Sequence, residues 1–197
     1  MIDERATFDR LLSEARKCHS AHTALDAFHP FPDDLSTQPV NPFHISASDL
    51  LQAETGLFTE PYEALRDAFV DAAPLAHWRE TYKDTNIGQD FLDRFGCYCL
   101  IGDEGPFASD TIRAWVVDMP PHLHYTWHQH PAEEAYLVLA GEAEFFREGA
   151  PPEILRAGQT SLHASNQPHA MTTHEHPVMA YVIWRNGFET PPILTPS

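Results

Sequence analysis

The sequence predicts a mainly β fold: a single small sandwich or barrel, with a helical N-terminal extension packed on it. Three observations lead there. The character of the chain changes near Phe95, with apolar residues at helical spacing before it and short β-type runs separated by turn residues from Cys97 to Trp184. Each predicted helix carries only a narrow apolar stripe, so it needs another surface to cover. Prolines at 30, 32, 39 and 42 separate the first helical stretch from the rest. The division expected is 1–95 for the helical region, 96–190 for the barrel and 191–197 for a tail.

Residues 3–29 are predicted helical, with Phe8, Leu11, Leu12 and Ala15 on one stripe. Residues 30–42 follow as a loop draped over the surface. Ser46 or Ser48 is placed to cap a short helix through Leu50 and Leu51. Thr59 before Pro61 opens a further helix with Tyr62, Leu65, Phe69 and Ala72 on its stripe, and Pro74 stops it. Two more helices are expected, over 75–82 and 89–95. The β-type runs are 97–101, 112–118, 123–128, 134–139, 143–147, 153–156, 160–163, 170–174 and 178–184. Gly141-Glu142 reads as a tight hairpin between two of them and Gly158 as a second turn. The Pro-rich tail from Pro191 is expected to be loose or laid against the barrel.

At 197 residues the chain is long enough for one domain with an extension and a real core. A net charge of −17 argues against nucleic acid or an anionic membrane surface as partner. No apolar run approaches the roughly 20 residues that span a bilayer. The start, Met1-Ile2-Asp3-Glu4-Arg5, lacks the basic and apolar parts of a signal peptide, so a cytoplasmic protein is expected. Cys18, Cys97 and Cys99 are odd in number and without framework spacing, which points to reduced packing residues.

One stretch carries chemistry: His128-Gln129-His130-Pro131-Ala132-Glu133-Glu134-Ala135-Tyr136, followed by an apolar run to Gly141. On a strand, His128 and His130 share a face. Glu134 lies beyond the Pro131 turn and can return to the same point. Two imidazoles and a carboxylate suit a borderline divalent ion such as zinc, iron(II), manganese, nickel or cobalt. A fourth donor is sought downstream, and His169, in the stretch from Gly158, is the candidate.

The first stretch fits the cupin pattern H-x-H-x3-E-x6-G at every position. The second resembles the other cupin motif, with Gly158 and His169 in place but Ala164, Asn166 and Thr173 where the family has Pro, Gly and Asn. Asn166 can adopt the left-handed conformation that the glycine supplies. The resemblance implies a single-domain, jelly-roll-like cupin barrel with His128, His130, Glu134 and His169 around one metal. Some metal cupins hold the ion with three protein groups and leave the fourth near the substrate, and His128 is the residue that would take that place. His163, His174 and His176 read as surface residues or supports of the ligands, and His122 and His124 as non-ligands.

Strand alternation puts Tyr136 on the same face as Glu134. A nearby cation favours its phenolate, and lowering a phenol by two to three units takes roughly 3–4 kcal/mol. Tyr136 is then a candidate general base, the alternative being a space-filling barrel aromatic. Tyr125, Trp127, Tyr181 and Trp184 are candidates for a cage around a sulfonium or quaternary ammonium.

Helical half, single cupin, the run from Tyr125 to Tyr136 and Trp184 together resemble the cupin-type dimethylsulfoniopropionate (DMSP) lyases, in particular the Q-type (DddQ) members, from about residue 60 to 190. The resemblance implies a metal-dependent carbon–sulfur lyase that yields dimethyl sulfide and acrylate. It implies Tyr136 as catalytic residue, His130, Glu134 and His169 as ligands, and Tyr125, Trp184 and His128 in the substrate pocket, with Tyr181 added from the aromatic set. The ion implied is zinc, with iron(II) or manganese also fitting, and the partner is a small zwitterion. Two rival readings remain at this stage: another metal-cupin enzyme, such as a non-haem iron dioxygenase or an isomerase, and a non-catalytic small-ligand-binding cupin.

Overall fold

The structure is a computed structural model and describes residues 3–196. The N-terminal part holds α1 (Glu4–Ala21), α2 (Thr23–Phe28), α3 (Ser46–Ala53), α4 (Glu63–Ala72) and α5 (Gln89–Arg94), with a two-residue strand β1 (Ser36–Thr37) in the proline-rich loop. The β part runs β2 (Gly96–Ile101), β3 (Phe107–Ala108), β4 (Ile112–Met119), β5 (His124–Gln129), β6 (Glu133–Arg147), β7 (Glu153–Arg156), β8 (Thr160–His163), β9 (His169–Thr172), β10 (Val178–Arg185) and β11 (Ile193–Leu194).

Two sheets face each other and share β6. The first has the order β1-β3-β2-β4-β10-β6-β8, using the N-terminal half of β6, and the second is β7-β6-β9-β5-β11, using its C-terminal half. The expected hairpin at Gly141-Glu142 is therefore a correction: the chain does not reverse there. Gly141 takes φ +70, a register shift lies beside it opposite Met179/Ala180, and the strand bends from one sheet into the other. A side chain at Gly141 is excluded, because its Cβ would lie 1.8 Å from the Pro177 carbonyl oxygen. Gly158 does turn the chain, at φ +89 between β7 and β8.

The first sheet is buried on both faces, which explains why β2, β4 and β10 read as almost continuous apolar runs. One face packs against the helices through Tyr98, Leu100, Val116, Leu137, Tyr181 and Ile183, meeting Leu11, Leu51, Leu65 and Phe69. The other face, with Val117, Tyr136, Val138, Val182 and Trp184, meets Tyr125, Phe145 and Met171 of the second sheet. The helices thus complete a core that the first sheet begins, and the barrel is closed between the two sheets.

Two further expectations change. The helix over 3–29 breaks at His22, whose extended backbone still donates to the Cys18 carbonyl. No helix forms over 75–82: after a 3-10 turn at Ala73–Leu75 the chain runs extended, with Trp78 paired to Tyr98 and the Arg79 N–H on the Cys97 carbonyl. The fully buried Trp78 ring stacks edge-on against Tyr98, and that contact favours lying along the sheet edge over helix formation. Of the two courses expected for the tail, it takes the one laid against the barrel, since Ile193 and Leu194 pair with Gln129 and His128 as β11.

Candidate metal centre

Glu134 is the hinge of the site. Its cross-strand partners in the first sheet are His163 on β8 and Trp184 on β10, directly opposite it on either side. Residues in such positions point to the same face. Each donates to one carboxylate oxygen: His163 Nδ1 to Oε2 at 2.7 Å, and Trp184 Nε1 to Oε1 at 2.6 Å. Ser161 Oγ lies 2.9 Å from His163 Nε2, and burial pushes that imidazole down to about 4, so it serves as a neutral donor.

The second sheet brings His169 on β9, and His130 from just beyond β5. Ligand atoms of His130, Glu134 and His169 all lie within 4.8 Å of one another, and all three residues are buried. His130 Nε2 and His169 Nε2 stand 3.5 and 3.1 Å from Glu134 Oε2. Both nitrogens are buried without a hydrogen-bond partner. Their other nitrogens are committed, Nδ1 of His130 to the Ala132 carbonyl at 3.0 Å and Nδ1 of His169 to the Gln167 carbonyl at 2.8 Å. Anchoring Nδ1 on a carbonyl fixes the tautomer and leaves Nε2 as a lone-pair donor, as metal-binding histidines require. Burial would raise the Glu134 carboxyl, but the attraction of the neighbouring His130 and His169 imidazoles and the hydrogen bond from His163 outweigh it and hold it well below the ordinary range. An anionic carboxylate between two orphaned imidazole nitrogens fits a borderline divalent cation. The donor set and its supports therefore match a resident metal.

His128 lies outside this compact group. The i, i+2 argument for one shared point assumes that both histidines sit within a strand, yet β5 ends at Gln129 and His130 turns away to the Ala132 carbonyl. His128 instead stacks face-to-face on Tyr125, centroids 3.8 Å apart at 9°, and meets His169 edge-on at 4.1 Å.

An inner cavity lies between the sheets, lined by Glu134, His128, His130, Tyr125, Tyr136 and Trp184 among others. Tyr136 is buried there, and burial, followed by the Glu134 charge, drives its phenol well above 10 in the protein's own field. Tyr181 is not in the cavity, contrary to expectation. It is fully buried on the opposite face of β10, edge-on to His19 and tilted against Phe69. Tyr181 and Trp184 are three residues apart, and an odd separation on a strand means opposite faces. Trp127, exposed on β5, tilts against Phe146 and is also outside the cavity.

Three site residues escaped sequence reasoning. Tyr82 is buried, in the left-handed region at φ +71, and its hydroxyl lies 2.9 Å from that of Tyr125. Trp115 and Arg79 line the cavity wall. His163, read from the sequence as a surface residue or a support of the ligands, is the latter: a buried partner of Glu134, which the register of β8 against β6 decides. The left-handed Asn166 is as expected, at φ +57. Thr173, in place of the family's asparagine, donates its hydroxyl to the Pro120 carbonyl at 2.6 Å.

The dimethylsulfoniopropionate lyase family profile matches residues 16–180. A relative described as dimethylsulfoniopropionate lyase DddQ, from Ruegeria pomeroyi, is 50% identical over 195 residues, covering 99% of this chain and 97% of the relative. The crystal structure of DMSP lyase DddQ from Ruegeria pomeroyi DSS-3 superposes with a TM-score of 0.95 at 49% identity, over 96% of each chain. A structure from work on the DMSP lyases RdDddP and RnDddQII gives a TM-score of 0.94 at 37% identity, over 98% of this chain and 100% of that one.

Proposed function

The chain belongs to the dimethylsulfoniopropionate lyase family, and from that membership we propose that it cleaves DMSP to dimethyl sulfide and acrylate by β-elimination. The observation that carries the reading is one cavity lined both by the Tyr136 phenol and by His130 and Glu134 of a buried His-Glu-His donor set. His130, Glu134 and His169 are the residues assigned to hold a divalent ion. Zinc is the ion assigned, because elimination changes no oxidation state, and iron(II) or manganese would fit the same donors. When bound, such an ion acidifies the C–H next to a carboxylate it binds and favours a phenolate nearby.

The chain's own residues supply the rest. Tyr125, Trp184 and His128 are assigned to the substrate, with aromatic faces for the sulfonium at about 0.5–2 kcal/mol per ring. Tyr136 Oη takes the proton from the carbon beside the carboxylate. The C–H electrons become the new carbon–carbon double bond, the carbon–sulfur bond breaks, and dimethyl sulfide departs neutral with the sulfur electron pair. Acrylate keeps the negative charge, and Tyr136 returns its proton to solvent. The apolar walls exclude water from the phenol. The three cysteines are free, and no helix of the described residues is long and apolar enough to cross a membrane; a cytoplasmic place of action is proposed on the first of these.

Headspace detection of dimethyl sulfide from purified protein and DMSP, with and without chelator, tests the reaction. Tyr136→Phe should lower turnover by at least ~100-fold, the usual range for a lost general base. Near wild-type turnover in that variant would remove Tyr136 from the mechanism. No dimethyl sulfide from the metal-loaded wild type would remove the reaction.

A further inference from the structure

Outside the inner cavity lies a second one. About 50 Å³ of the inner cavity is open to the centre of a water molecule, against about 200 Å³ of the outer. Arg79, Trp115, Trp184 and Pro192 line both, so these four residues form the partition. The Trp184 indole N–H is already given to Glu134. Trp115, which meets Trp184 edge-on with centroids 4.7 Å apart, is only 7% exposed, and its Nε1 has no hydrogen-bond partner. A buried N–H without an acceptor is destabilising and calls for an occupant that can accept.

Arg79 stands beside it. Its backbone N–H is fixed on the Cys97 carbonyl, while its guanidinium makes no hydrogen bond or ion pair among the described residues. The other guanidinium of the outer cavity is spoken for: Arg113 donates to the Ser109 and Ile112 carbonyls, lies over the Phe188 ring and stands 3.9 Å from Glu189. Exposed Asp103 also borders the outer cavity. In a chain of net charge −17, an uncommitted arginine and an uncommitted indole N–H on the same partition are an unusual pairing. A guanidinium and a neutral N–H together suit a small carboxylate, whose two oxygens accept from both.

We propose that Arg79 and Trp115 form an outer carboxylate subsite. It receives the carboxylate end of the substrate before that end reaches the His130–Glu134–His169 group, and it holds the carboxylate product on its way out. That the carboxylates are DMSP and acrylate rests on the reaction proposed above; the existence of the subsite does not.

The test uses the full chain stripped of metal by chelation, with propionate as an unreactive probe followed by ligand-observed NMR. Wild type should bind propionate saturably. Arg79→Gln and Trp115→Phe should each weaken binding about tenfold or more, a loss typical of a charged hydrogen bond, and Arg79→Lys should recover part of it. In the metal-loaded enzyme the same variants should raise KM for DMSP and the acrylate inhibition constant more than they change kcat. Melting curves establish that the variants are folded. Failure of the wild type to bind propionate, or equal binding by wild type and both variants, overturns the subsite and leaves the lyase reaction standing. Propionate binding that follows the variants, in a protein that forms no dimethyl sulfide, keeps the subsite and overturns the reaction.

Discussion

Replacing Trp184 by Phe isolates one bond. The indole N–H lies 2.6 Å from Glu134 Oε1, with Trp184 9% and Glu134 2% exposed. A buried hydrogen bond to a charged acceptor contributes about 1.5–3 kcal/mol, and phenylalanine keeps an aromatic ring against His130 and Trp115 while removing only that donor and some volume. Without it, Glu134 keeps His163 on Oε2 but leaves Oε1 bare. Losing an outer partner of a ligand typically costs 10–100-fold in metal affinity, and about 1.5–3 kcal/mol corresponds to the same range. Competition against a chromophoric chelator measures it directly. For a chain of this length each kcal/mol lowers the melting temperature by about 2–4 °C, so the metal-free variant should melt roughly 3–12 °C lower. The smaller ring lowers it too, by leaving space, so affinity decides. Wild-type metal affinity in Trp184→Phe would refute the role given to this bond, whatever happens to the melting temperature.

Two further outcomes follow from groups outside the cavity. Burial, with the Glu54 charge adding to it, pushes the Asp118 carboxyl up to about 8, and its Oδ1 has no partner. The folded protein therefore keeps a proton that the unfolded chain releases near pH 4, and the contribution of Asp118 to stability should fall by ~1.4 kcal/mol per pH unit between about 4 and 8. Asp118→Asn cannot ionise and should melt higher than wild type at pH 8 but not at pH 5; parallel melting profiles would contradict this. Gly141→Ala forces a Cβ against the Pro177 carbonyl in a left-handed backbone, and should cost more than ~3 kcal/mol in urea unfolding. A loss under ~1 kcal/mol would mean that β6 does not cross between sheets as described.

The sequence exposed whatever depends on neighbours along the chain. Strand alternation and spacing found the donors His130 and Glu134, the family motif added His169, and the apolar runs of β2, β4 and β10 marked a sheet covered on both sides. Contacts set by register were hidden. Nothing in the run Thr160–His163 says that His163 faces Glu134, because a slip of one residue in β8 would turn it away. Arg79 reaches the cavity through extended backbone and Tyr82 reaches the Tyr125 hydroxyl through a left-handed residue, both within the stretch 75–82 whose spacing reads as helical. Trp115, by contrast, lies on the expected β4 run, and only the face set by pairing brings it to the cavity. Tyr181 is different. Its odd separation from Trp184 along the strand is legible in the sequence and by itself puts the two rings on opposite faces.

That parity ties the helical half to the chemistry. On β10, Tyr181 and Ile183 enter the core built with α1 and α4, while Val182 and Trp184 enter the cavity. Trp184 reaches Glu134 only while it is paired directly opposite on β6. A one-residue slip of β10 would send Tyr181 inward, turn Trp184 toward the helices and take the donor from Glu134. The helical layer resists it strongly, because the indole would have to take the place of fully buried Ile183, or that of Arg185, whose guanidinium is held by Glu133 and the Phe28 carbonyl. The N-terminal helices therefore act on the candidate centre without touching it, by making one register of β10 the only well-packed one.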